Sequence, residues 1–312
     1  MLGLATPLAA QSFGGIPQHE PLNPASASRS ALLQLPYREA SPGRWRVSLQ
    51  FDYGSAIEYD VNQATGGTYL LDAELMRTSV NVSRDLGTRD FVMVQAGVQG
   101  AYDGLADGFF YWYHNLIGFY QPERLARPKN VFGYQFELPD RTIIRDRMAA
   151  ALTDTRLTYG VRWTPYFQSA VTATLPTSTG PEGYGRGVPG IATIQTLRVR
   201  PISRVLVEAT AGVGYTPRHG QLGPYQQTAF ASASTGLRIN LWGAQSIYGY
   251  LFYHTASYAN TGFRSLDRRE FTGDFGWMMK GKNGTEWRFG LAEDLAPGDA
   301  GIDLILKVGR TW

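Results

Sequence analysis

From Trp45 to Tyr53 an apolar side chain stands at every second position: Trp45, Val47, Leu49, Phe51 and Tyr53. Arg44, Arg46, Ser48, Gln50 and Asp52 fill the places between. Side chains alternate across an extended strand, so this segment has one greasy face and one polar face. The same period of two returns at residues 76–82, 92–98, 157–163, 169–175, 205–215, 229–241, 271–279, 287–291 and 302–308. It is weaker at 191–199 and 247–255. The pattern predicts about twelve strands.

The connections sort themselves by length. Short polar turns are expected at 85–90, 164–166, 201–204, 242–245 and 280–285, the last holding the hairpin dipeptide Asn283-Gly284. Long ones are expected at 54–68, 101–153, 176–190, 216–226, 256–268 and 295–301, and short and long alternate throughout. A transmembrane antiparallel up-and-down β-barrel has this rhythm, with tight periplasmic turns and long extracellular loops. It leaves both termini on the periplasmic side. A soluble sandwich has no reason to sort its loops so.

Composition narrows the choice. The chain has 312 residues and no cysteine, which excludes disulfides, cysteine nucleophiles and thiolate metal sites. A formal charge of +3 gives no nucleic-acid footprint. No run of about 18 apolar residues exists, so no helical span is expected; strand spans escape that test. Aromatic residues near strand ends, among them Trp45, Trp163, Trp242 and Trp287, suit a girdle at the membrane interface.

The polar face is too charged for a dry core. Arg44, Arg46, Asp52, Arg77, Arg156, Arg162, Glu208, Arg238, Asp274, Arg288, Asp303 and Lys307 are expected to line a lumen. There they either edge an aqueous path and tune its ion preference, or pair with one another in a filled barrel.

Two segments stand apart from the alternation. Residues 1–11 read as the remnant of a signal peptide, with MLGLATPLAA ending in small residues. Residues 12–42 hold Pro17, Pro21, Pro24, Pro36 and Pro42 and predict an irregular leader ahead of the barrel at 43–312, a possible luminal plug. The insertion at 101–153 contains FFYWYH, in which Phe110, His114 and Ile117 would share one face of a short helix. Trp112 lies in the same string, Arg124 and Arg127 follow it, and a hairpin is expected around Pro139-Asp140. The loop reads either as a lid over the barrel mouth or as aromatics buried against its rim.

Catalytic patterns are weak. His254 and Ser257 are three apart, and on a continuous strand they point to opposite faces. The four histidines lack metal-ligand spacing, and neither a metal nor a cofactor is expected.

The chain closes on Leu304, Leu306, Val308 and a terminal Trp312, which looks like the insertion signal of bacterial outer-membrane barrels, with Arg310 breaking its apolar parity. Further strings are LQLPYREASPGRWRVSLQFDY from Leu33, DGFFYWYHNLIGF from Asp107, RLARPKN from Arg124, TLPTST from Thr174 and LAEDLAPGDAGIDLILKVG from Leu291. Together they resemble an uncharacterised Gram-negative outer-membrane β-barrel family (domain of unknown function 3187). In TLPTST, Ser178 stands where that family usually has Gly. The resemblance implies location and architecture and contributes no catalytic residue. The partners it implies are outer-membrane lipid and lipopolysaccharide, with the barrel-assembly machinery engaging the C-terminal strand. The leading expectation for function is a narrow pore for small solutes. The alternatives are a non-conducting structural or receptor barrel and a lipid hydrolase.

Overall fold

The computed structural model describes residues 17–29, 34–118, 127–281, 284–296 and 302–312. The expected signal remnant at 1–11 and Arg124 lie outside these residues.

Among the described residues fifteen strands form one sheet, and twelve of them close into an antiparallel barrel. In chain order the wall is β1 (Trp45–Val61), β2 (Thr68–Asp85), β3 (Asp90–Tyr102), β7 (Thr155–Thr164), β8 (Phe167–Leu175) and β9 (Gly190–Ile202). It continues through β10 (Val205–Tyr215), β11 (Ala229–Asn240), β12 (Gln245–His254), β13 (Glu270–Lys280), β14 (Glu286–Asp294) and β15 (Leu304–Thr311). The seam joins first strand to last, from Ser48↔Thr311 to Ser55↔Leu304. Closure leaves the wall without a free edge, which a bilayer demands because it offers no partner for exposed N–H and C=O groups.

The period of two becomes inside and outside. Leu49, Val80, Val94, Leu157, Val171, Leu197, Val213, Leu237, Leu251, Phe275, Phe289 and Val308 are exposed around the cylinder. Between them, Asp52, Arg77, Gln95, Thr172, Thr196, Glu208, Asp274 and Lys307 are buried in the bore. At the short-turn end Trp45, Trp163, Tyr166 and Trp242 are exposed, and Arg84 and Arg89 lie 5.2 and 5.3 Å over the rings of Trp45 and Trp163. Arg310, which breaks the parity of the last strand, points outward between Trp287 (4.8 Å) and Trp312 (4.5 Å). Its charge rests at the interface on two indole faces.

One connection is shorter than expected. The long loop anticipated at 54–68 is strand for most of its length, because β1 and β2 stay paired from Trp45↔Arg84 to Val61↔Thr68. Alternation fades there because both faces are covered. Gly54 meets the leader inside, where an added Cβ would lie 3.1 Å from Leu22. Ser55 and Leu304 are buried outside, although their parity points to lipid.

The insertion between β3 and β7 supplies a helix and three strands. β4 (Gly133–Leu138) and β5 (Arg141–Ile144) make the hairpin expected around Pro139-Asp140, and β4 pairs with the tip of β2. β6 (Met148–Leu152), not anticipated, pairs with the upper part of β3.

Candidate functional site

The bore holds the protein's own N-terminal segment. Proline-rich backbone cannot join a ladder, so its polar groups must find side chains, and the inward face of the barrel supplies them. Residues 34–41 run along β7, β8 and β9. Thr196 donates to the Leu35 carbonyl at 2.6 Å, and Gln168 brackets the chain, donating to Pro36 O at 2.9 Å and accepting from Arg38 N at 2.9 Å. The Arg198 guanidinium lies 4.3 Å over the Tyr37 ring, and Glu39 pairs with Arg198 at 3.1 Å and Arg200 at 2.8 Å.

Residues 17–29 form the other limb. Asn23 caps a single-turn helix, α1 (Pro24–Ala27), and donates to Glu58 at 2.5 Å. Arg77 donates to the carbonyls of Pro21 and Glu20, at 2.8 and 3.0 Å, and to Asp52 at 2.9 Å. Glu20 pairs with Arg156 at 2.8 Å. His19 is fully buried, tilted on Phe252 with ring centroids 4.5 Å apart, and its Nδ1 lies 3.2 Å from Lys307, which pairs with Asp274 at 2.5 Å. Its backbone N–H donates to Gln34 at 2.6 Å, tying the limbs together. At the far end Arg29 donates to the carbonyls of Thr216, Pro217 and Gln227.

Beyond these two limbs an apolar core covers the long-loop end. Tyr69, Tyr134, Phe136, Tyr258, Phe263 and Leu222 are buried together with Leu22 and Ala25 of the leader. A short helix at Arg264–Asp267 adds Leu266 to it. Arg186 of the loop after β8 donates to Thr216 at 2.6 Å, and burial pulls its guanidinium below the usual range. Alongside the leader the bore narrows to a cavity of about 30 Å³ between Glu20, Arg77, Gln95 and Arg156.

The short-turn end is different. A cavity of about 440 Å³ lies between the two limbs of the leader and the inward faces of β13–β15 and β1–β3. Arg46, Gln50, Ser83, Met93, Met278 and Arg288 are on its wall, and Pro17, Gln18 and residues 35–41 form its other side.

Most of the expected luminal residues point inward. Asp52, Arg77, Arg162, Glu208, Arg238, Asp274, Arg288 and Lys307 are buried, while Arg46 and Arg156 are partly covered. Arg162 pairs with Asp85, and Arg238 with Glu286 at 2.7 Å. Two depart from the expectation. Arg44 precedes β1 and is exposed at the mouth, and Asp303 is half-buried in the bend before β15. Neither sits on a strand face, so alternation could not place them.

The helix in the insertion, α2 (Asp107–Ile117), is not a lid over the mouth. Phe110 stacks at 6.3 Å on Tyr53, and His114 Nε2 lies 3.1 Å from Glu293. Glu74 accepts from Tyr53 and from the amides of Leu105 and Ala106 at the helix start. Tyr53, Glu74 and Glu293 all have outward parity, so the helix lies on the outside of the wall. It ends at Gly118, whose φ of +78° suits glycine. Ile117 and Trp112 are exposed with Leu105, Phe109 and Leu116 rather than packed beside His114. Arg127 pairs with Asp72. The signal missed was the pair of carboxylates on the lipid parity, Glu74 and Glu293, which need covering.

His254 Nε2 and Ser257 Oγ are buried without hydrogen-bond partners among the described residues, so the two do not pair as nucleophile and base. No cluster of metal-ligating side chains occurs among the described residues.

Residues 15–153 match the family model described as "Protein of unknown function (DUF3187)". The resemblance drawn from the sequence is thereby borne out for that part of the chain. No curated protein matches. Among solved structures, the COG4313 outer membrane channel from Pseudomonas putida F1 superposes with a TM-score of 0.57 at 12% identity, over 88% of this chain and 96% of that one. The toluene transporter TbuX from Ralstonia pickettii superposes more loosely, with a TM-score of 0.40 at 10% identity over 96% and 94%. With its closed cylinder and apolar belt, the chain is a bacterial outer-membrane β-barrel.

Proposed function

We propose that the protein is an outer-membrane channel for small solutes, held closed by residues 17–41 acting as a plug. The observation that carries this reading is what fills the bore. The wall encloses a space too wide for its own side chains, and a separate peptide segment, bound through side chains, occupies it. A purely structural barrel of this size has no need of a removable filling. The open vestibule at the periplasmic end supplies one half of a path, and the fold shared with a protein named as a channel supports the same reading.

The competing reading is a permanently closed structural barrel, favoured by the buried aromatic core over the extracellular end. Planar-bilayer recordings separate the two. The full chain is expected to be mostly silent with rare openings, and a variant with weakened leader contacts is expected to open often. Silence from both, with the leader demonstrably displaced, overturns the channel reading.

A further inference from the structure

We infer that the outward face of α2 is a lipid-docking surface, seated among the acyl chains of the outer leaflet, so that the insertion is anchored to the membrane as well as to the wall. Contacts at three points fix where the helix runs. At its start the Leu105 and Ala106 amides donate to Glu74 of β2, in the middle Phe110 stacks on Tyr53 of β1, and near its end His114 meets Glu293 of β14. β15 lies between β1 and β14, so the helix crosses the seam where the barrel closes.

The helix keeps an apolar surface after it has packed on the wall. Phe110 and His114 turn to the barrel and are buried. Leu105, Phe109, Trp112 and Leu116, at spacings of four, three and four, form a second stripe nearly opposite, and they are 93, 42, 57 and 67% exposed. Between the two stripes Asp107, Tyr111 and Asn115 recur every four residues as a polar flank. Asp107 accepts from the Asn130 amide at 2.6 Å, and the Lys129 ammonium lies 5.2 Å over the Tyr111 ring. A helix with a polar flank beside an apolar face settles in the plane of a membrane interface.

The height agrees. Tyr53 stands eight residues along β1 from the exposed Trp45 at the short-turn end, about 26 Å at about 3.3 Å per residue. With a strand tilt of about 40° that is about 20 Å above the girdle, inside an apolar band about 25 Å tall. The stripe also continues the belt. Rings follow one another from the outward-facing Phe51 of β1 through Tyr53, Phe110 and Phe109 to Trp112, with centroids 5.6–6.4 Å apart. A second copy of the chain is a poorer occupant. Eleven helical residues span about 16 Å and offer on the order of 200 Å² on one face, against the roughly 800 Å² per partner of a stable interface.

This seat is the same whether or not the bore conducts. Because the chain has no cysteine, a single introduced one carries a nitroxide to a chosen place. The full chain, labelled at Leu116→Cys or at Phe109→Cys, is reconstituted in phosphatidylcholine vesicles. Electron paramagnetic resonance then compares collision of the label with dissolved oxygen and with a water-soluble nickel chelate. Both labels are expected about 5–10 Å below the headgroup level, with oxygen favoured as at a Val213→Cys label on the belt. A label at Asp140→Cys on the exposed extracellular hairpin is expected in water, with nickel favoured. Neither Leu116 nor Phe109 makes one of the wall contacts that hold the helix, and either variant alone decides if the other does not fold. Nickel collision matching that at Asp140 overturns the proposal. So does spin–spin broadening at the stripe that vanishes on dilution with unlabelled chain, because it puts a second copy there instead of lipid.

Discussion

Arg77→Met should loosen the leader more than any surface change. Arg77 is 5% exposed and makes three hydrogen bonds, two to leader carbonyls and one to Asp52. It also lies 3.6 Å from the Glu20 carboxylate. Methionine fills much of the volume but leaves those acceptors without their cation. Removing one partner of a buried ion pair costs about 3–5 kcal/mol. Because the lost contacts join leader to wall, that cost falls on the docked state. Each 1.4 kcal/mol is about a factor of ten in an equilibrium constant, so the undocked fraction should rise by about 10²-fold to several thousandfold. Trypsin reads this directly. Arg29 is buried with its guanidinium held by three carbonyls, so cleavage after it requires the leader to come away. When opening and closing are fast, cleavage rate tracks the open population. The control is Arg147→Met, which breaks an ion pair with Asp103 whose side chains are 62% and 44% exposed; surface pairs contribute about 0–1 kcal/mol. Heat-modifiable migration on gels verifies that the barrel stays closed. If Arg77→Met and Arg147→Met are cleaved after Arg29 at rates within tenfold of each other, the ion pairs do not hold the leader.

Three further outcomes follow from the same geometry. Gly54→Val puts a branched side chain where Leu22 already lies within 3.1 Å of an added Cβ; overpacking costs about 1–3 kcal/mol, and cleavage after Arg29 should rise about tenfold, whereas an unchanged rate would mean the leader does not touch β1 there. Val213→Lys, on the exposed belt, should lower the unfolding free energy in lipid vesicles by about 2–4 kcal/mol, and a neutral effect would remove Val213 from the lipid face. Phe110→Ala should cost about 3–5 kcal/mol of local docking, seen as faster hydrogen exchange of the Asp107–Ile117 amides; loss of the whole barrel's unfolding midpoint instead would show the helix to be part of the wall.

The wall was legible because lipid and bore impose opposite demands on successive residues. Runs such as Trp45–Tyr53 and 205–215 carry that demand in plain alternation, and the sorted loop lengths add which end is which. Legibility fails wherever a third element covers a face. Ser55 and Leu304 are buried despite their outward parity, and Gly54 lies under Leu22, so the upper part of β1 and β2 looked like a loop. The outer helix itself was readable from the spacing of Phe110 and His114, but its seat was not, since Glu74 and Glu293 are distant in sequence and look like breaks in parity. The leader is the extreme case. Proline removes periodicity, and contacts such as Arg77 with Pro21 or Gln168 with Pro36 have no local signature.

Both limbs of the leader reach the same mouth: Pro17 and Gln18 border the vestibule from one limb, and residues 35–41 border it from the other. The described leader thus lies doubled along the bore, and its hold on the wall is made of side-chain contacts rather than ladder hydrogen bonds. On the channel reading proposed above, releasing those contacts would break no rung of the wall, so the cylinder would keep its shape while its filling moved.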